Sequence, residues 1–211
     1  AFWGDTTTAA KQLVEKGDIN YLVFDFLAEV TMSILAGAKN KNKDMGYATD
    51  FVKQLAPLLN QVKKKNIKVI SNAGGINLIE CRNALMNEAE KAKIDLKIAI
   101  VTGDDLMKKL PKLIELGIKE TETNEPLPDS CLSVNAYLGA PGIVTALGQG
   151  ADIVITGRCV DSAMVLAPLM YEFDWSEIDY DLLSAGSLAG HIIECGAQCT
   201  GGNFTDWKMV D

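Results

Sequence analysis

The sequence predicts an α/β protein in which a mainly parallel sheet is covered by helices on both faces, open and doubly wound rather than closed into a barrel. Three observations carry this. Apolar runs of strand length at residues 20–26, 67–71, 96–101 and 152–156 alternate with helix-period segments. The loops that leave these runs, 72–77, 102–105 and 157–162, are polar and Gly-rich. Repeated strand, loop and helix units imply a parallel sheet, and fewer than the eight units of a barrel are visible.

Each element has its own signal. The strand at 20–26 runs into a helical pattern over 28–38 that closes at Gly37 and a Lys/Asn loop. Phe51, Val52, Leu55, Leu58, Leu59 and Val62 fall at the spacing of a helix with one buried face across 50–65. The strand at 67–71 is followed by a helix over 78–92, and the strand at 96–101 ends at the acidic turn 102–105. Residues 121–129, rich in Thr, Glu and Pro, read as a solvated surface excursion. The strand at 152–156 leads through 157–162 to a helix over 163–171. No internal repeat is present, and residues 1–211 are expected to form a single α/β domain.

Composition narrows the function classes. With 48% hydrophobic residues in 211, the chain can bury a substantial core. A net charge of -8 disfavours nucleic acid as a partner. No apolar run reaches the roughly 18 residues of a membrane span, and no signal peptide opens the chain, so neither a membrane nor secretion is expected. Five cysteines with no CxxC pair indicate neither a disulfide framework nor a structural zinc site, and point to reduced thiols in an intracellular compartment.

In parallel sheets the loops at the carboxyl ends of strands build the ligand site. Asn72, Gly74 and Gly75 lie in a turn that can either cradle an anion or make a tight strand-to-helix connection, and it lacks both the P-loop and the full dinucleotide pattern. Asp104 and Asp105 can meet a metal or cap the helix expected from Leu106. Arg158 offers a bidentate grip for a carboxylate or phosphate, with Asp161 and Ser162 as its partners or as a helix cap. Cys159 reads as a buried, inert thiol. The densest chemistry lies at 191–207, where His191, the one histidine, stands with Glu194, Cys195, Cys199 and Asn203 among glycines.

Taken in order, residues 2–5, 21–35, 46–51, 71–75, 103–105, 135–140, 152–161 and 191–207 closely resemble the acyclic terpene utilisation (AtuA-like) family. The resemblance spans essentially the whole chain, and its longest matches are 189–198 and 200–207. Members of that family are longer, so the resemblance implies the N-terminal portion of its conserved domain, in keeping with the missing initiator methionine. It also implies a pathway: breakdown of acyclic terpenes through coenzyme A thioesters, a biotin-dependent carboxylation and a branched 3-hydroxyacyl-CoA intermediate. It carries no catalytic residues over.

The expected function is therefore a lyase or hydrolase acting on a branched 3-hydroxyacyl-CoA or the derived carboxylate. His191, Glu194 and Asp161 are the candidate catalytic groups, because a single imidazole with a carboxylate three residues along one helical face suits proton transfer. Arg158, Asn72, Gly74, Gly75, Asn135, Ser162 and Asn203 are the candidate substrate contacts. Asp25, Glu29 and Asp104 are candidates to recruit a divalent metal that polarises a carbonyl. The alternative is a non-catalytic acyl-CoA-binding or scaffold subunit associated with a biotin-dependent carboxylase. Either reading expects a homo-oligomer or a complex with pathway enzymes, in the cytoplasm or the mitochondrial matrix.

Overall fold

The computed structural model describes residues 6–194 together with 196 and 199. Four strands, β1 (Tyr21–Phe24), β2 (Lys68–Ser71), β3 (Ile98–Val101) and β4 (Ile153–Thr156), form one all-parallel sheet in the order β1-β2-β4-β3. The sheet is open, so the α/β class expected from the sequence holds and the barrel alternative does not.

Alternation along the strands assigns the helices to two layers. Leu22, Phe24, Val69, Ile153 and Ile155 point to one side, where they pack with α1 (Ala9–Lys16), α3 (Thr49–Leu55), α4 (Leu59–Lys64) and α5 (Leu78–Lys91). Ile70 and Val154 point to the other, toward α7 (Pro141–Gly148) and α8 (Ala163–Glu172). On the first side Phe24, Phe26 and Phe51 form a cluster in which Phe51 meets both rings edge-on, at centroid distances of 5.3 and 6.2 Å. In α5, Cys81, Leu85 and Ala89 recur every four residues and are the buried stripe.

The helix read across 50–65 is divided. Pro57, which lacks an N–H, falls in a 3₁₀ turn at Ala56–Leu58 that separates α3 from α4. Similarly, the helix expected from Leu106 is a 3₁₀ turn, Met107–Lys109, followed by α6 (Leu110–Glu115). α2 (Glu29–Lys41) follows β1, and α9 (Tyr180–Glu194) packs back on α8. Gly186 and Gly190 make the second approach close: a Cβ at Gly190 would lie 2.7 Å from the Ser162 carbonyl oxygen. Along α9 the side chains of Leu182, Leu188, Ile192 and Ile193 are exposed. Among the described residues no helix is long and apolar enough to cross a membrane.

Adjacent strands β2 and β4 send their chains to opposite layers, β2 to α5 and β4 to α8. Such a divergence at the carboxyl ends of neighbouring strands is the position at which open parallel sheets bind ligands in a crevice.

Candidate functional site

The crevice is lined by the residues that end β1, β2 and β4. Asp25 and Asn72 follow β1 and β2, and both are buried. The Asn72 amide nitrogen donates to Asp25 Oδ1 at 2.6 Å, and its Oδ1 accepts the Phe26 N–H at 2.7 Å. The Leu27 N–H also reaches Asp25 Oδ1, at 3.3 Å. Asn72 thus orients an acid and closes the end of a strand with one side chain.

Across the crevice Arg158, only 5% exposed, is anchored from behind. Its N–H donates to Asp104 Oδ2 at 2.9 Å, and Asn135 Nδ2 donates to the same oxygen at 2.9 Å. Nη1 donates to the Leu27 carbonyl at 2.7 Å and to Asp161 Oδ1 at 2.9 Å, while Nη2 reaches Glu29 at 3.4 Å. The Tyr137 ring lies 4.1 Å from the guanidinium carbon, and its hydroxyl donates to Glu29. Gly157 has to be glycine here, since a Cβ would lie 2.3 Å from the Asp104 carboxylate.

α9 completes the cluster by bringing Glu194 to the sheet. One carboxylate oxygen each from Asp25, Asp161 and Glu194 lies within 4.8 Å of the others. Burial and a hydrogen bond shared with Glu194 push the Asp25 carboxyl up to about 7. Burial, and then the charge of Asp25, raise Asp161 against the opposing pull of Arg158. Asp104 is raised by burial, with the Arg158 N–H and Asn135 pulling it back. Glu29 is held below the ordinary carboxylate range, first by the Tyr137 hydroxyl.

Three carboxylates so close repel unless a proton or a cation sits among them. Hard divalent ions take oxygen ligands at roughly 2.0–2.6 Å, so oxygens on opposite sides of such an ion stand up to about 5 Å apart, and the trio fits. Of the metal candidates read from the sequence, Asp25 belongs to this trio, whereas Glu29 and Asp104 bind Tyr137 and the Arg158 backbone.

The remaining candidates are positioned as follows. Gly74 donates its N–H to the Thr156 carbonyl at 3.1 Å, tying the β2 and β4 loops together. Gly75 has φ +54, and a Cβ there would meet Leu35 Cδ1 at 2.5 Å and the Gly46 oxygen at 2.7 Å, so packing alone requires glycine. Ser162 abuts Gly190. His191 is exposed on the last turn of α9, near the rim that Glu194 reaches. Asn203 lies outside the described residues. Asp105 Oδ1 accepts the Met107 N–H at 2.9 Å, the capping role open to it in the sequence. Cys159 is fully buried, with its thiol pushed up to about 12 by burial, so it stays protonated.

Two features of the site escape the sequence reading. Tyr137 is absent from the candidates that the sequence offers, although its alternation with Asn135 in a polar loop is a signal that both side chains share one face. Asp25 is only a metal candidate in the sequence, and its contact with Glu194 has no local trace there. A cleft of about 560 Å³ opens at the opposite, amino edge of the sheet between Tyr21, Lys68, Glu172 and Phe173. Its charged groups are paired, Tyr21 with Glu172 at 2.5 Å and Lys68 with Asp152 at 3.3 Å, so it lacks the closely spaced acids of the carboxylate cluster.

Fold and site together define a doubly wound α/β protein with an acid-rich, arginine-backed crevice at its strand ends. The profile of the acyclic terpene utilisation family protein AtuA matches residues 1–211. The chain belongs to that family, and with it to acyclic terpene utilisation. Neither a curated protein nor a solved structure matches it.

Proposed function

We propose that this protein is an enzyme of branched acyl-CoA breakdown that cleaves a branched 3-hydroxyacyl-CoA, or hydrolyses the derived thioester, in the crevice between β2 and β4. The observation that carries the reading is the Asp25, Asp161 and Glu194 cluster, in which one acid titrates near 7. A base that is half ionised at neutral pH both accepts and returns a proton efficiently.

In the cleavage, the 3-hydroxyl proton passes to the Asp25 carboxylate as the C2–C3 bond breaks. The oxygen lone pair becomes the new carbonyl at C3. The bond pair remains on C2 as a thioester enolate, which the protonated acid then quenches to give the shorter acyl-CoA. Asn72 holds Asp25 in register for the transfer, and Arg158 holds Asp161 beside it. Between turnovers His191, exposed near Glu194, carries the proton of any Asp25 that starts protonated out to solvent, which frees the carboxylate for the next substrate. Where a divalent cation rather than a proton neutralises the cluster, Asp25, Asp161 and Glu194 would hold it, and it would supply positive charge near the developing carbonyl oxygen in place of the Asp25 proton. Acyl-CoA chemistry of this kind implies an intracellular compartment.

The direct test incubates the full-length protein with a panel of branched 3-hydroxyacyl-CoA esters, with and without magnesium or manganese, and follows the products by mass spectrometry. Turnover that falls at least ~100-fold in Asp25→Asn and in His191→Ala supports the assignment. Absence of turnover across the panel, or undiminished turnover in Asp25→Asn, removes it.

A second reading, a scaffold subunit for a biotin-dependent carboxylase, is favoured by one feature: the apolar side chains of Leu182, Leu188, Ile192 and Ile193 on α9 are exposed at 44–62%. Co-purification with the carboxylase that is lost in Ile192→Glu, without any acyl-CoA turnover, would select it.

A further inference from the structure

We propose that Arg158 and Tyr137 form a carboxylate subsite that Glu29 fills in the resting protein, and that the free carboxylate of a dicarboxylic acid monothioester takes over by displacing it. The identity of the substrate rests on the proposed reaction, whereas the subsite stands on contacts alone.

The three acceptors on Arg158 are unequal. Leu27 is a buried backbone carbonyl at 2.7 Å, and Asp161 is a part-buried partner at 2.9 Å. Glu29 makes the longest contact, 3.4 Å, from a side chain that is 76% exposed. Such a solvated pair contributes little and exchanges readily. The direction of approach is also set. The Tyr137 ring covers one face of the guanidinium at 4.1 Å, which leaves the in-plane edge at Nη2, the geometry in which guanidinium groups bind carboxylates. At that edge a carboxylate receives the Tyr137 hydroxyl as well, as Glu29 does.

Charge decides between adding an anion and exchanging one. Asp161 is already paired with the guanidinium, and Asp25 and Glu194 stand within 4.8 Å of Asp161, so a further negative group entering beside Glu29 would meet repulsion. Replacing one carboxylate by another leaves the local charge unchanged. Glu29 also begins α2, where no side chain caps the helix, and it accepts a hydrogen bond from its own N–H. An incoming carboxylate inherits that donor.

Glutarate, with glutaramide as its uncharged counterpart, tests the subsite by calorimetric titration of the full chain without any turnover. Wild type should bind glutarate weakly and glutaramide not at all. Removal of the competing carboxylate in Glu29→Ala or Glu29→Gln should tighten glutarate ~2- to 5-fold, the factor that corresponds to the loss of an exposed ion pair. Adding Tyr137→Phe to Glu29→Ala should then loosen it again. Unchanged or weaker glutarate binding in both Glu29 variants would overturn the proposal, as would equal binding of glutaramide or indifference to the Tyr137 hydroxyl. Glutarate binding as described in a protein that turns over no acyl-CoA would leave the subsite in place and discard the reaction.

Discussion

Asn72 Nδ2 lies 2.6 Å from Asp25 Oδ1, and the same buried amide accepts the Phe26 N–H, so one side chain joins β1 to β2 beyond the last ladder bond and aims the acid. Asn72→Ala would strand a buried N–H and remove a donor to a buried acid. A loss of roughly 2–4 kcal/mol is expected from unsatisfied buried groups of this kind, read as a lower urea midpoint at unchanged slope. A change below ~0.5 kcal/mol would mean that water takes over both bonds.

Asp25 makes stability depend on pH in an unusual direction. Its carboxyl is raised from 3.8 to about 7, so between those values the folded chain holds a proton that the unfolded chain releases. Its contribution is therefore full below about pH 4, declines as pH rises toward 7, and is lost above that. Asp25→Asn keeps an acceptor for Asn72 and never ionises. The variant should gain on wild type as pH rises, by on the order of 2–4 kcal/mol at pH 8, in melting experiments at pH 5 and 8. Parallel pH profiles for the two proteins would contradict this.

Divalent cations should act on the same cluster. Millimolar magnesium or manganese is expected to raise the melting temperature at pH 8, the stabilisation being about 1.4 kcal/mol at tenfold excess over Kd through ligand linkage. Asp161→Asn combined with Glu194→Gln should abolish the increment. An equal increment in that double variant would assign it to another part of the molecule.

Two glycines make a matched pair. At Gly157 a Cβ would collide with the Asp104 carboxylate at 2.3 Å, and Asp104 in turn fixes the Arg158 backbone. At Gly37, inside α2, a Cβ would meet nothing within 4 Å. Gly157→Ala should cost at least ~2 kcal/mol, whereas Gly37→Ala should stabilise by about 0.5–1 kcal/mol through helix propensity. Thermal melts of the two variants with opposite signs are the expected result.

The sheet was legible because its strands are short, apolar and punctuated by polar turns, and all four expected runs contain one. Less of the helical layer could be read. α9 meets α8 through Gly186 and Gly190 rather than through large apolar residues, and Pro57 divides a helix whose apolar spacing continues across it. Arg158, Asp161 and Asn72 could be picked out because strand-end loops in parallel sheets converge. Their partners could not, since the pairing of Asp25 with Glu194, or of Asn135 with Asp104, depends on how distant segments dock. Nothing in the local pattern of residues 25–29 separates Asp25, buried against Asn72, from Glu29, out in solvent.

β4 is buried at every position from Ile153 to Thr156 and is flanked by a neighbour on each side. Its next residues, Gly157 and Arg158, are the ones that hold the crevice together. The amides of this strand should consequently exchange with deuterium only through global opening of the protein, and the arginine cannot leave its pocket by local fraying. Any variant that loosens the middle of the sheet should thus lose ligand binding and cooperative unfolding at the same denaturant concentration, with no inactive but folded species in between.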